Sequence, residues 1–115
     1  MHKVIILIGE LEDPAHFDAS WPWFLHLAEH MPGLQREVTS RTSHQIYGDF
    51  HCSMVHELLF NTEQEAREAL RSPEGQAAGT TLQNITKGRA VILLAEHQED
   101  TLDNIRAASE PSEDD

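Results

Sequence analysis

The sequence predicts an α+β fold with the element order βαββαβ. Two uninterrupted apolar runs, residues 4–8 and 90–95, lie near opposite ends of the chain, and the pattern between them reads helix, strand, strand, helix. Neither run alternates with polar residues, so each predicts a strand that is apolar on both faces and lies at the centre of the sheet. Two helices can cover only one face of this sheet, which leaves the other face in need of a partner.

Composition disfavours several classes of partner. The 115 residues form one domain of common size, and the formal net charge of -12 disfavours nucleic acid and anionic membrane surfaces, which attract clustered Lys and Arg. No apolar stretch approaches the roughly 20 residues of a membrane span, and no signal-peptide pattern opens the chain. The single cysteine, Cys52, cannot form an internal disulfide, which predicts a cytoplasmic location.

The chain divides into a folded domain over residues 1–96 and an acidic tail over residues 97–115. A short helix fits at Leu102–Ala107, whereas the charge of residues 110–115 and their lack of apolar side chains predict disorder. The tail is therefore predicted to be partly disordered.

The first helix is predicted from its cap and its apolar stripe. After a strand at Lys3–Gly9, Asp13-Pro14 has the form of an N-cap followed by proline at the first helical position, and Pro32-Gly33 ends the element. The stripe has helical spacing and consists of Phe17, Trp21, Phe24, Ala28 and Met31. Pro22 lies inside this stripe and removes one backbone hydrogen bond, so we expect it to kink or split the helix.

The rest of the domain carries alternating strand and helix signals. The predicted elements are strands at Leu34–Thr42, Ser53–Phe60 and Arg89–Glu96 and helices from Thr62 to Arg71 and from Ser72 to about Ile85. Thr62 with Glu65 forms a capping box, and Ser72-Pro73 forms a second cap. Along the third strand, His56 faces the same way as its apolar neighbours Met54 and Leu58.

Several short motifs occur in a fixed order along the chain. They are Val4–Ile8, Phe17 with Trp21, Pro32-Gly33-Leu34, Leu59-Phe60 and Ser72-Pro73-Glu74-Gly75-Gln76-Ala77. Over roughly residues 3–96 the chain resembles an EthD-type member of the dimeric α/β-barrel superfamily. The resemblance implies a ferredoxin-like protomer with one four-stranded antiparallel sheet, helices on one face, and a homodimer formed through the sheets.

The resemblance also implies a function. Relatives use a pocket between sheet and helices to oxidise, isomerise or break down small organic molecules. The chain is then an oxidoreductase of the monooxygenase type that acts on a small hydrophobic or aromatic compound, with no cofactor or a loosely bound one. The alternatives are a non-catalytic small-molecule-binding or accessory protein, and a haem protein with a histidine as the axial ligand.

Two histidines, His26 and His56, are the candidate catalytic residues. Family members carry a histidine one helical turn after the tryptophan, in a His-x-Pro setting; here that position is Leu25, its neighbour is His26, and no proline follows. His56 is a polar group in an apolar row, which indicates either a hydrogen-bonded core or interface histidine or the acid/base group of the pocket.

The candidate substrate-binding residues are Trp23, Phe24, Arg41 and Tyr47. Trp23 and Phe24 of the first helix suit either stacking on a planar substrate or packing in the core. Arg41 and Tyr47 flank the loop after the second strand, where a pocket rim is expected. His26 and His30 share a helical face, but no third or fourth ligand accompanies them, so no metal site is predicted.

The two faces of the apolar strands predict an assembly. Ile5, Leu7, Val91 and Leu93 lie on the opposite faces of their strands from Ile6, Ile8, Ile92 and Leu94, so one of these sets lacks helix cover in a single chain. Four large aliphatic side chains exposed together form a patch of the size that marks an interface. We therefore expect a stable twofold homodimer.

Overall fold

A computed structural model describes residues 1–109 of the chain. Its elements, in chain order, are β1 (His2–Ile8), α1 (Pro14–Glu29), β2 (Arg36–Arg41), β3 (Met54–Phe60), α2 (Glu63–Arg71), α3 (Pro73–Thr86), β4 (Ala90–Glu96) and α4 (Leu102–Ser109). The predicted helix in the tail is confirmed, and the segment 110–115, predicted to be disordered, lies outside the described residues. No helix in the described part is long and apolar enough to cross a membrane.

The four strands form one antiparallel sheet in the order β2-β3-β1-β4. The predicted ferredoxin-like fold is therefore confirmed, as is the central place of β1. The central place predicted for β4 is wrong, because β4 pairs with β1 alone and forms an edge of the sheet. On the helix-facing side of β4, Leu94 is half-buried but Ile92 is 52% exposed, and on the other side Val91 and Leu93 are 39% and 44% exposed in the single chain.

The helices cover one face of the sheet and leave the other face open. The covered face contributes Val4, Ile6, Ile8, Met54, Leu58 and Phe60 to the core. The predicted apolar stripe of α1 is buried against it at every position. The open face, called the outer face below, consists by strand register of Lys3, Ile5, Leu7, Arg36, Val38, Ser40, Val55, Glu57, Leu59, Val91, Leu93 and Ala95.

Pro22 does not split α1. The helix runs through it without interruption, from Pro14 to Glu29. Pro22 lies on the exposed side of the helix, and its neighbours Trp21 and Phe24 are buried in the core. Packing on both sides of the missing hydrogen bond holds the helix together across it.

All three predicted helix caps are present. The side chains of Asp13, Thr62 and Ser72 accept hydrogen bonds from the backbone nitrogens three residues further on, at 3.0, 3.1 and 3.0 Å. Ser72 both ends α2 and caps α3, so the two helices follow each other with one residue between them. This tight junction fixes α3 against the sheet.

Candidate functional site

His56 is the one histidine of the described residues that lies fully inside the domain. It lies on central strand β3, on the helix-covered face, and is 0% exposed. The rings of Trp21 and Phe24 approach it edge-on from α1, with centroid distances of 5.2 and 5.8 Å. His56, the polar residue in the apolar row of β3, is therefore covered by two aromatic side chains.

Two side chains of the neighbouring strand bind the two ring nitrogens of His56. Thr39 Oγ1 lies 2.9 Å from Nδ1, and Glu37 Oε1 lies 3.2 Å from Nε2. The register of β2 on β3 puts Thr39 directly opposite His56, with Glu37 two residues away on the same face. With Glu37 ionised, the neutral imidazole donates its Nε2 proton to the carboxylate and accepts the hydroxyl proton of Thr39 at Nδ1.

The three side chains form a path of hydrogen bonds with its buried member, His56, in the middle. Thr39 is exposed and the Glu37 side chain is 20% exposed, so the hydroxyl is the end that is more open to solvent. Burial lowers the pKa of His56 to about 4, against a smaller opposing effect of the Glu57 charge. Burial, followed by the negative charge of Glu29, raises the pKa of Glu37. The arrangement can accept a proton at Thr39 and pass one inward without placing a full positive charge on the buried ring.

The buried imidazole predicts a pH-dependent stability. The pKa of His56 falls from 6.5 to about 4 on folding, so its contribution is present above pH 6.5 and is lost as the pH falls toward 4. Stability should decrease by about 3 kcal/mol over this range, partly offset by Glu37, whose raised pKa acts with the opposite sign. Urea unfolding of the natural chain and of His56→Gln at several pH values checks this; an equal slope in both proteins would contradict it.

The structure brings Phe24 to His56 and keeps two other predicted residues away from it. Trp23 is 56% exposed and stacks on His26 at 5.2 Å, on the outer side of α1. The ring centroids of His30 and His26 are 4.7 Å apart, and Nδ1 of His30 lies 2.7 Å from the backbone oxygen of His26. Within residues 1–109 no group of three or more His, Cys, Asp or Glu side chains could hold a metal ion.

Arg41 and Tyr47 are also separated. Arg41 is exposed at the end of β2, on the same face as Glu37 and Thr39, so it flanks the hydroxyl end of the path. Tyr47 is 95% exposed in the loop between β2 and β3. Sequence reasoning missed Thr39 and Glu37, because only the strand register shows that they lie beside His56.

The described residues line a small crevice and a larger open cleft. Between sheet and helices, where the resemblance implies a substrate pocket, the described residues leave an apolar crevice of about 30 Å³, which Phe24, Gly79 and Ile92 help to line. A wider, open cleft of about 570 Å³ lies where β1 ends and is lined by Glu10, Leu11, Pro14, Gln45, His51, Cys52 and Ser53. The segment between β2 and β3 contributes Gln45, His51, Cys52 and Ser53 to this cleft, and neither Arg41 nor Tyr47 lines it.

Comparison with known proteins supports the fold. No family model matches the sequence. An uncharacterized 11.0 kDa protein in the thcB-thcC intergenic region of Rhodococcus erythropolis is 25% identical over 99 residues, which are 85% of this chain and 96% of that protein. An ethyl tert-butyl ether d (EthD) family protein from Bacillus halodurans has a TM-score of 0.77 at 22% identity, over 85% of this chain and 99% of its own. The chain shares the EthD-type fold.

Two further solved structures resemble the chain. SnoaB, a cofactor-independent oxygenase from Streptomyces nogalater, has a TM-score of 0.63 at 19% identity and covers 88% of this chain and 94% of its own. A dimeric protein of unknown function and ferredoxin-like fold from Bacteroides fragilis has a TM-score of 0.61 at 16% identity, and the match covers 84% of this chain and 95% of that protein. The ferredoxin-like protomer thus occurs both in an oxygenase and in a dimer of unknown role.

Proposed function

We propose that this chain is a cytoplasmic, homodimeric oxidoreductase that oxygenates a small hydrophobic or aromatic compound without a cofactor. The observation that carries the proposal is the Thr39–His56–Glu37 path, an acid/base group held between an exposed hydroxyl and a carboxylate. The similarity in fold to a cofactor-independent oxygenase supports the choice of chemistry. The dimeric protein of the same fold supports the assembly.

In the proposed reaction, the path removes a proton from an acidic CH₂ group of the substrate. Thr39 Oγ1 takes this proton as it passes its own to Nδ1 of His56, and Nε2 passes a proton to Glu37. The substrate carbanion then reduces dioxygen, the oxidant, to a bound peroxide. The peroxide takes back the proton and loses water, which converts CH₂ and O₂ into a carbonyl group and H₂O.

In this proposal the substrate lies over the helix-facing side of β2, where Thr39 and Arg41 are exposed. Side chains two apart on a strand point the same way, so the guanidinium stands beside the hydroxyl and favours an oxygen anion on the substrate. The crevice of about 30 Å³ is too small for an aromatic ring. Both His56 nitrogens are already bonded, which also disfavours this residue as a haem ligand.

We expect His56→Gln to lower turnover at least about tenfold, or roughly 1.4 kcal/mol, because glutamine keeps hydrogen bonds but cannot carry a proton. Dioxygen uptake measures this against a panel of small hydroxyaromatic compounds that each carry an acidic ring CH₂ group, the group that the proposed reaction converts into a carbonyl. Thr39→Val should cause a similar loss. His16→Gln, an exposed histidine on the same helix as His26, serves as the control and should leave turnover unchanged.

Two outcomes would contradict the proposal. Loss of turnover in His26→Gln, with full activity in His56→Gln, would assign the chemistry to the exposed histidine. No dioxygen uptake by the natural chain, together with retention of a compound from the panel, would favour the second candidate, a non-catalytic small-molecule-binding or accessory protein. The complete enclosure of His56 is the observation that favours that candidate.

A further inference from the structure

The open cleft at the end of β1 has walls that hydrogen bonds hold together. One wall is the connection from β1 to α1, and the other is the segment between β2 and β3. The backbone nitrogen and the hydroxyl of Ser53 donate to the carbonyl oxygen of Ile8 at 2.7 and 3.2 Å, and the hydroxyl also lies 2.9 Å from the carbonyl oxygen of Gly9. The second wall is therefore anchored where the first wall begins.

Gln45 and Phe50 fix the rest of the second wall. The side-chain amide of Gln45 donates to the carbonyl oxygen of Gly48 at 2.7 Å and accepts from the backbone nitrogen of Cys52 at 3.0 Å. The ring of Phe50 packs on Gly9, where a Cβ would lie 3.4 Å from the ring. The cleft is therefore formed before any ligand enters, which lowers the cost of ordering on binding.

The size and lining of the cleft suit a small organic molecule. Its volume of about 570 Å³ falls within the roughly 300–1,000 Å³ of ligand pockets. Leu11 and Pro14 supply apolar surface from the first wall. On the second wall, Gln45, Cys52 and Ser53 already direct their side-chain polar atoms to the backbone. Recognition of a polar group must therefore come from the remaining lining residues, Glu10 and His51.

Glu10 is the carboxylate of this cleft, and no cation accompanies it. The next acidic residue, Glu12, pairs with Lys87 and Arg89 at 3.6 and 2.8 Å. Asp13 caps α1. Among the described residues no side chain pairs with Glu10, and no lysine or arginine lines the cleft. The cleft therefore favours a positively charged group over an anion.

We propose that the cleft binds an organic ammonium ion, whose charge meets Glu10 and whose apolar body lies on Leu11 and Pro14. His51 adds an aromatic ring from the other wall. The net charge of -12 favours the approach of such a cation. The site is separate from the Thr39–His56–Glu37 path, because none of those three residues lines the cleft.

The test compares three probes by NMR titration of the full-length chain in a buffer of low ionic strength, because salt screens exposed charges. Naphthylethylamine carries both features, naphthylethanol keeps the apolar body without the charge, and ethylamine keeps the charge without the body. We expect naphthylethylamine to bind at least about threefold more tightly than either of the others. The backbone amide signals of Leu11, Gln45 and Cys52 should shift on binding.

Glu10→Gln removes the charge at nearly constant shape. It should weaken the binding of naphthylethylamine at least about threefold and leave that of naphthylethanol unchanged. Asp49→Asn is the matched control, because it removes one charge from the segment between β2 and β3 but does not line the cleft. It should change the affinity less than about 1.5-fold.

Three results would overturn the ammonium site. The first is equal affinity of the natural chain for naphthylethylamine and naphthylethanol. The second is an equal loss of amine affinity in Glu10→Gln and Asp49→Asn, which would reduce the effect to the overall charge. The third is an absence of shifts at the cleft amides with millimolar amine, including the case in which only the amides of Thr39 and His56 respond.

Discussion

Replacing Gly75 with alanine is expected to destabilise the chain by about 4 kcal/mol. A Cβ at this position would lie 2.1 Å from the backbone oxygen of Ala69 and 2.8 Å from that of Leu70. Both atoms belong to the last turn of α2, so relief requires the two helices to move apart rather than one side chain to rotate. The movement would disturb the Ser72 cap, which bonds the nitrogen of Gly75 at 3.0 Å. Urea unfolding monitored by circular dichroism measures the loss.

Gly79 provides a matched control one helical turn further along α3. A Cβ there would meet nothing within 4 Å. Gly79→Ala should therefore stabilise the chain by about 0.5–1 kcal/mol, because alanine has the higher helix propensity. If the two alanine variants change the free energy of unfolding in opposite directions, the loss at Gly75 comes from close packing, because helix propensity favours alanine at both positions. A loss below about 1 kcal/mol for Gly75→Ala would show that the α2–α3 junction yields easily.

Local signals in the sequence were enough to predict the elements and the fold. The caps at Asp13, Thr62 and Ser72 act over three residues, and the α1 stripe acts over single helical turns, so neither depends on the rest of the chain. The prediction that β4 lies at the centre of the sheet was wrong for a physical reason. Apolar residues on both faces of a strand indicate what lies above and below the sheet, whereas a central place depends on having hydrogen-bonded strands on both edges, so the same sequence fits a central strand or an edge strand.

The candidate site was predictable only in part. A polar residue in the apolar row of β3 identified His56, but Glu37 and Thr39 depend on how β2 pairs with β3. That register follows from the path of residues 42–53, a loop too long for a defined hairpin turn, and a slip of one residue would turn Thr39 to the outer face. His26 lies roughly 200° around α1 from Phe24, which explains why it is exposed while Phe24 contacts His56.

Leu93→Glu should weaken the homodimer at least about 100-fold, or roughly 2.7 kcal/mol. Leu93 lies in the open part of the outer face, opposite Ile5 of β1, and is 44% exposed in the single chain. The protomer tolerates a charge there because water reaches it. Within a twofold interface the same carboxylate would be buried without a partner, once in each protomer.

Ile46→Glu is the control that separates loss of an interface from a general effect of charge. Ile46 is also a large exposed aliphatic residue, but it lies in the loop between β2 and β3 rather than on the outer face. Sedimentation equilibrium should give a shifted dissociation constant for Leu93→Glu and an unchanged one for Ile46→Glu, with native circular dichroism in both. Equal dimer affinity in the two variants would mean that the chains do not meet through their outer faces. The apolar character of β4 on that side would then need another partner, since a half-exposed aliphatic row at a sheet edge invites association with further strands.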